Sequence, residues 1–295
     1  MFEGAVLYAL IGTIGWGLSG GAAKKLIERF GPVRAIVIRN IVATTVLGGL
    51  TLFVGIPETI TYPMFFFGLF LAISGYFPFI LLMTGLGYGK VGVVYPVAEG
   101  WVVLAALIGF LFLGDIFSFE KLGALTLIIV GVLLVCIDFD EFRKSDIFSI
   151  RSGVPFAAFS AFLWGLIFAF FTIPSVALGG IFFAFMVEGV VLVSAVVHLT
   201  LVRREPVLRP RAADMKAVWK LSPYILCAGV GAAVGTSFIN FGYATGEVAL
   251  VSAIAGGHVV IAALFARAMY KEKLNLRQYM GLTVVFLGAL FAGII

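Results

Sequence analysis

Apolar residues in this chain come in long runs, one after another, separated by short polar breaks. Within each run they are continuous rather than alternating with polar residues, which reads as helices apolar on every side and not as strands. A helix that crosses a bilayer needs about 20 mostly apolar residues. Ten segments qualify and are numbered here as spans 1 to 10: Gly4–Ala23, Arg34–Val54, Met64–Thr84, Val91–Leu113, Leu122–Ile137, Gly153–Phe171, Gly180–Val202, Pro223–Gly242, Val248–Met269 and Arg277–Ile295. Leu122–Ile137 is short and is expected to reach back through Phe119 and Phe117. The longest polar connections, Asp138–Ser152 and Arg203–Ser222, are too short to hold a domain. The expectation is one all-α integral membrane unit of ten transmembrane helices.

Composition agrees. Hydrophobic residues make up 62% of the 295 and charged ones 12%, against about 25% charged in average soluble domains. A surface for water cannot be built from so few polar groups. Cys136 and Cys227 each sit in an apolar run with no Cys or His at metal-ligand spacing, so both read as packing residues. No cofactor and no metal is expected. The first run lacks a basic stretch before it and reads as a retained span rather than a cleaved signal.

The net charge of +5 could suggest nucleic acid, but its distribution says otherwise. Of the 20 Lys and Arg residues, eighteen fall in the loops between spans 1 and 2, 3 and 4, 5 and 6, 7 and 8, and 9 and 10. The opposite face has only Lys121, with Glu3, Glu58, Asp115, Glu120 and Glu247. Arg39 lies inside span 2. Lys and Arg are retained on the cytoplasmic side, so the charge is a topology signal and both termini are expected outside the cytoplasm. The expected location is the inner (plasma) membrane, with lipid as the main partner.

Two halves of the chain resemble each other. Gly100–Leu107 (GWVVLAAL) matches Gly257–Leu264 (GHVVIAAL) at an offset of 258 − 101 = 157, and Gly131 and Gly288 keep it. Upstream, Trp16-Gly17-Leu18 matches Trp164-Gly165-Leu166 at 164 − 16 = 148. Spans 1–5 (residues 1–137) then correspond to spans 6–10 (residues 153–295), joined by a cytoplasmic linker, 138–152. Five is odd, so the second repeat enters the membrane upside down. The loops follow: the basic loop 1–2 corresponds to the uncharged loop 6–7, and loop 2–3, with only Glu58, corresponds to the basic loop 7–8. Inverted repeats recur in transporters, with substrate sites near the midplane between them.

Several motifs carry a family resemblance. Trp16-Gly17 lies in span 1, the stretch from Tyr88 to Val97 (YGKVGVVYPV) leads span 4, and Phe112-Leu113-Gly114-Asp115 ends it. With these residues the chain resembles the EamA-type ten-helix members of the drug/metabolite transporter superfamily. The last motif looks like that family's Leu-Gly-Glu, with Asp for Glu; the second repeat has Tyr270-Lys271-Glu272-Lys273, which keeps the acid and loses the Gly. The resemblance spans the whole chain and implies secondary transport of small metabolites. Many such relatives keep their termini in the cytoplasm, whereas the charges here point the other way.

Ionisable groups deep in a span cost about 2.5–3.5 kcal/mol on insertion scales and usually face a cavity or a partner. Glu99 lies about 13 Å past Lys90 at the helical rise, near the midplane, where it can bind a cationic group or a coupling proton, or simply pair with a neighbouring helix. Glu188 lies about 12 Å past Gly180, open to a functional or a structural reading. Arg39, at the matching place in span 2 (188 − 39 = 149), is close enough to the cytoplasmic end to snorkel. His258 replaces Trp101 in the second repeat, and Gly256 replaces Glu99 (256 − 99 = 157). Pseudo-symmetry can therefore set Glu99 and His258 on facing walls, while a merely hydrogen-bonded His258 is the plainer alternative.

Asn240, with Thr236 and Ser237, makes one polar face on span 8. Trp16, Trp164, Tyr76 and Tyr95 can line a pocket or fill the core. The Gly-rich stretches Gly15–Gly21 and Gly229–Gly235 read as close-packing surfaces, since no strand precedes them as a phosphate loop requires. Pro78 and Pro96 are expected to kink spans 3 and 4. The function that fits best is a secondary transporter of a small metabolite, an amino acid or related compound, working by alternating access in the export direction with protons as a coupling ion, as a monomer or homodimer. Sugar or other metabolite uptake is the runner-up. A passive channel or scaffold comes next. An intramembrane enzyme comes last, because the sequence has no His-Glu-x-x-His, no Gly-x-Ser-x-Gly and no Cys–His pair.

Overall fold

The computed structural model describes residues 4–58, 60–88, 91–116, 118–137, 143, 149–206, 212–271, 273–292 and 294. Most of the linker 138–152 lies outside them, as do Phe117, Gly89 and Lys90 of the motif before span 4, and Glu3, Lys144, Arg209, Arg211 and Glu272. Among the described residues the chain is helical throughout, with no strand. Nine of its helices are long and apolar enough to cross a membrane, and a shorter apolar helix, Leu276–Ala292, supplies the tenth span.

Two stretches differ from the sequence reading, span 1 and the connection before span 8, and span 5 reaches back to Phe119 as expected. Span 1 runs on as one helix, Gly4–Phe30, well past Ala23. Span 5 begins at Phe119, where Ser118 accepts the Lys121 backbone N–H as its N-cap at 3.2 Å. Part of the long connection before span 8 forms a short helix, Ala212–Lys220.

Four spans are broken. Span 3 divides at Gly75 into Tyr62–Ser74 and Tyr76–Tyr88. Pro78, having no N–H, leaves the Ser74 carbonyl without its usual helical donor, so the break falls in the turn before the proline. Span 4 behaves differently from expectation: its first helix, Val91–Ala98, runs straight through Pro96. The break comes at Glu99–Gly100, where Gly100 N bonds back only three residues to Val97 O at 3.1 Å. Span 9 breaks at the equivalent Gly257, whose N bonds Ile254 O at 3.0 Å, with no proline present. A tightened turn at a shared glycine marks the break in both spans. Span 6 divides at Phe171.

The packing follows the repeat reciprocally. Gly17 in span 1 sits where a Cβ would strike Ile261 of span 9; its equivalent Gly165 in span 6 sits against Leu104 of span 4. Since 165 − 17 = 148 and 261 − 104 = 157, the two contacts are the same contact made twice. Spans 5 and 10 repeat the pattern: Gly131 faces Val285 while Gly288 faces Ile128. Such exchange of partners is the signature of a twofold axis, and with five spans per repeat that axis lies in the membrane plane. The two Gly-rich stretches do pack together. A Cβ at Gly15 would lie 2.5 Å from Gly235 N, so spans 1 and 8 touch backbone to backbone.

The repeats are also tied to each other at both ends. On the face opposite the basic loops, Gly114 takes a left-handed φ of 83° that turns the chain back after span 4. Asp115 then accepts the backbone N–H groups of Val248 and Ala249 at 3.2 and 2.7 Å, capping span 9 of the other repeat. Lys121 pairs with Glu247 at 2.6 Å beside it. On the basic face, Tyr270 donates to Gly21 O at 2.8 Å, Arg34 pairs with Glu205, and Gly85 and Gly153 abut.

Candidate functional site

The break in span 4 delivers Glu99 to the interior, and the break in span 9 delivers His258 opposite it. Only 6% of Glu99 is exposed. Its Oε1 lies 3.8 Å from His258 Nε2, and its Oε2 accepts the Trp101 indole N–H at 3.2 Å. On the other side of the imidazole ring, Nδ1 bonds Ala255 O at 3.0 Å. A carbonyl only accepts, so Nδ1 carries a hydrogen. Nε2 faces the Glu99 carboxyl at 3.8 Å, within ion-pair range but beyond a direct hydrogen bond.

Aromatic rings wall the pair. Trp101 and Phe168 pack at 4.7 Å between centroids, Trp16 and Phe168 at 5.6 Å, and Trp16 meets His258 edge-on at 6.1 Å. Carboxylate, imidazole and π-faces in one place can receive an ammonium, a carboxylate and an apolar side chain at once.

A second polar cluster begins at Trp16. Its Nε1 donates to Thr236 Oγ1 at 3.1 Å, and Thr236 donates to Glu188 Oε1 at 2.6 Å. Glu188 Oε2 takes Asn40 Nδ2 at 2.8 Å and Arg39 at 3.2 Å. Arg39 also donates through Nε to Ser19 at 2.9 Å. The guanidinium thus turns inward to an acid rather than outward to the membrane boundary. Glu188, 4% exposed, has partners on both oxygens, and that satisfaction makes this cluster a rigid support for the Trp16 ring.

Among the described residues, the side chains of the remaining sequence candidates make no hydrogen bond or ion pair with Glu99 or His258. Asn240 Nδ2 reaches Gly180 O at 3.4 Å, while its Oδ1 and the Ser237 hydroxyl are buried without a protein partner. Tyr76 bonds His198 Nδ1 at 3.2 Å, between spans 3 and 7. Tyr95 and Trp164 pack against the cluster of Leu82, Val94, Ala98 and Ala157, on the wall behind Glu99. Among the described residues no three His, Cys, Asp or Glu side chains gather as metal ligands would. Sequence reasoning passed over Trp101 as a donor, Phe168, and Asn40 as a second partner for Glu188. The repeat gave Trp101 only as the counterpart of His258, and nothing in its spacing announced a bond two residues back.

Comparison with known proteins places this geometry. Among solved structures 29 chains match; one, titled only "Crystal structure of protein", superposes with a TM-score of 0.76 over 99% of both chains at 14% identity, which speaks to the fold alone. No curated protein sequence matches. The model of the EamA-like transporter family matches twice, over residues 4–137 and 151–294, one match per repeat. The chain belongs to the EamA-like transporter family and is a multi-pass membrane transporter of the drug/metabolite type.

Proposed function

We propose that the chain exports an amino acid or a closely related zwitterionic metabolite by alternating access, with a proton as the coupling ion. The observation that carries this reading is the facing of Glu99 and His258 inside an aromatic wall. A zwitterion entering between them gives its ammonium to the Glu99 carboxylate in place of the proton, so substrate and proton take turns at one group, and its carboxylate lies toward the Trp101 indole N–H. The aromatic rings take the side chain. When no substrate is bound, the proton leaves Glu99 a neutral carboxyl facing a neutral imidazole, which avoids leaving a lone buried charge.

The cross-repeat contacts supply the gates. The cap of Asp115 on span 9 and the Lys121–Glu247 pair close one face; Tyr270 on Gly21 and Arg34–Glu205 close the other. Opening one set while the other holds exposes the same central pair to one side at a time, and the pseudo-twofold axis makes the two movements equivalent in kind.

A thermal-stability screen in mild detergent tests the substrate class. Amino acids, sugars, nucleosides and organic cations are compared at acidic and neutral pH. A ligand at 100 times its Kd adds about 2.7 kcal/mol to the folded state. The reading expects the shift from zwitterionic amino acids. A shift confined to sugars, with none from amino acids, contradicts it.

A further inference from the structure

The basic end of span 9 holds a feature that the central site does not use. Arg267, Lys271 and Lys273 rim an open hollow of about 500 Å³, and Leu264 and Ala268 form its inner wall. Leu264 and Ala268 are one helical turn apart on the exposed side of span 9. The wall therefore runs from the cationic rim straight onto the lipid-facing surface. The Arg267 guanidinium rests over the Tyr279 ring of span 10 at 5.3 Å, which holds the cation beside the hollow.

Two basic residues, Arg204 and Lys271, have left-handed backbones, and Lys271 is the one that lines this hollow. Lys271 has a left-handed φ of 57°. The repeat-equivalent residue is Gly114 (271 − 114 = 157), which makes the same turn at φ 83° without strain. A non-glycine residue in this conformation is disfavoured by contact of its Cβ with the backbone. The second repeat carries a lysine there nonetheless, and strain of this kind is kept where the side chain serves a purpose. Charge points the same way. From Arg267 to Arg277 the chain has four basic residues against Glu272. The carbonyls ending this helix amount to about half a negative charge, far less than the three rim cations.

We infer that this hollow binds the headgroup of an anionic phospholipid, with the phosphate among Arg267, Lys271 and Lys273 and an acyl chain along Ala268 and Leu264. A free phosphate would use the cations and leave the wall idle. Basic recesses between spans at the membrane boundary suit lipid headgroups. The site is independent of the central pair and does not rest on the proposed substrate.

The test is lipid retention by the full chain in neutral detergent, read by native mass spectrometry and by thermal shift. The probes are phosphatidylglycerol, phosphatidylcholine and inorganic phosphate. The wild type should retain phosphatidylglycerol over phosphatidylcholine and should not respond to phosphate alone. The R267Q/K271Q/K273Q variant should bind phosphatidylglycerol about 100-fold more weakly, at the usual contribution of each basic group near a membrane. Lys216 and Lys220 lie outside the hollow, and K216Q/K220Q should behave as wild type. L264N keeps every charge, so its weaker lipid retention separates loss of the wall from any misfolding of the triple variant. Equal retention of the two lipids, wild-type retention by the triple variant, or phosphate competing as well as lipid overturns the proposal.

Discussion

His258 Nε2 stands 3.8 Å from Glu99 Oε1 across the pseudo-twofold axis, yet neither residue has a counterpart of its own kind. Gly256 occupies the place of Glu99 in the second repeat, and Trp101 occupies the place of His258 in the first. A symmetric frame holds an asymmetric pair. The frame can swing both ways while the chemistry is supplied once, by one acid and one base.

The ion pair between Arg39 and Glu188 joins positions one residue off the local repeat offset (188 − 39 = 149 against 148) and ties spans 2 and 7 together. Removing one partner of a buried pair costs about 3–5 kcal/mol, because the other charge is left unpaired. Glu188→Gln should lower the melting stability by an amount near the bottom of that range, since Arg39 keeps some access to solvent. Adding Arg39→Gln should restore part of the loss. A double-mutant cycle by thermal melting checks this, and additive losses in the cycle would contradict a paired arrangement.

Gly15 allows spans 1 and 8 to meet at their backbones. Gly15→Ala places a methyl group against Gly235 and should destabilise the fold by about 1–3 kcal/mol, the range for overpacking. Gly20, whose Cβ position is open, provides the control: Gly20→Ala should be neutral or slightly stabilising, as alanine favours helix. Melting of the two variants side by side distinguishes a packing requirement from a general sensitivity of span 1.

Asp115 caps span 9 from the other repeat, and Asp115→Ala should cost about 1–2 kcal/mol. Burial pushes the Asp115 carboxyl above its usual range, outweighing the backbone donors of Ala249 and Val248; Glu247 adds to the rise and Lys121 opposes it. A raised folded value means the native state prefers the protonated acid. Its share of stability is complete below the unfolded carboxyl value and is lost as pH rises through the folded one. Compared with Asp115→Asn, the wild type should therefore gain melting stability as pH falls from about 7 toward about 4. A gap that narrows on acidification would reverse the sign.

Much of the architecture was legible because lipid imposes a simple code. Continuous apolar runs gave the spans, and the GWVVLAAL and GHVVIAAL segments gave the repeat. The breaks were legible only in part: Pro78 follows the break in span 3, while the tightened turns of spans 4 and 9 fall at Gly100 and Gly257, which carry no side-chain signal beyond their shared offset. Offsets also pointed to Glu99 opposite His258, since they map positions onto facing walls. They could not show that Arg39 turns inward to Glu188, because snorkelling and pairing use the same side chain and only the rotamer decides. Asn240 and Ser237 looked like Thr236 on one helical face, yet Thr236 alone reaches Glu188 and Trp16, a difference of one helical turn and of facing neighbours.

Proton-coupled flux of an amino acid in reconstituted vesicles, wild type against Glu99→Gln, tests the central claim most directly. Gln keeps the size and hydrogen-bonding shape of Glu99 and removes its charge and its proton. The account predicts that Glu99→Gln, folded and melting within a few degrees of wild type, no longer moves the amino acid in response to a pH gradient. Flux equal to wild type under the same gradient would contradict it, and would leave the Glu99–His258 pair as a structural contact.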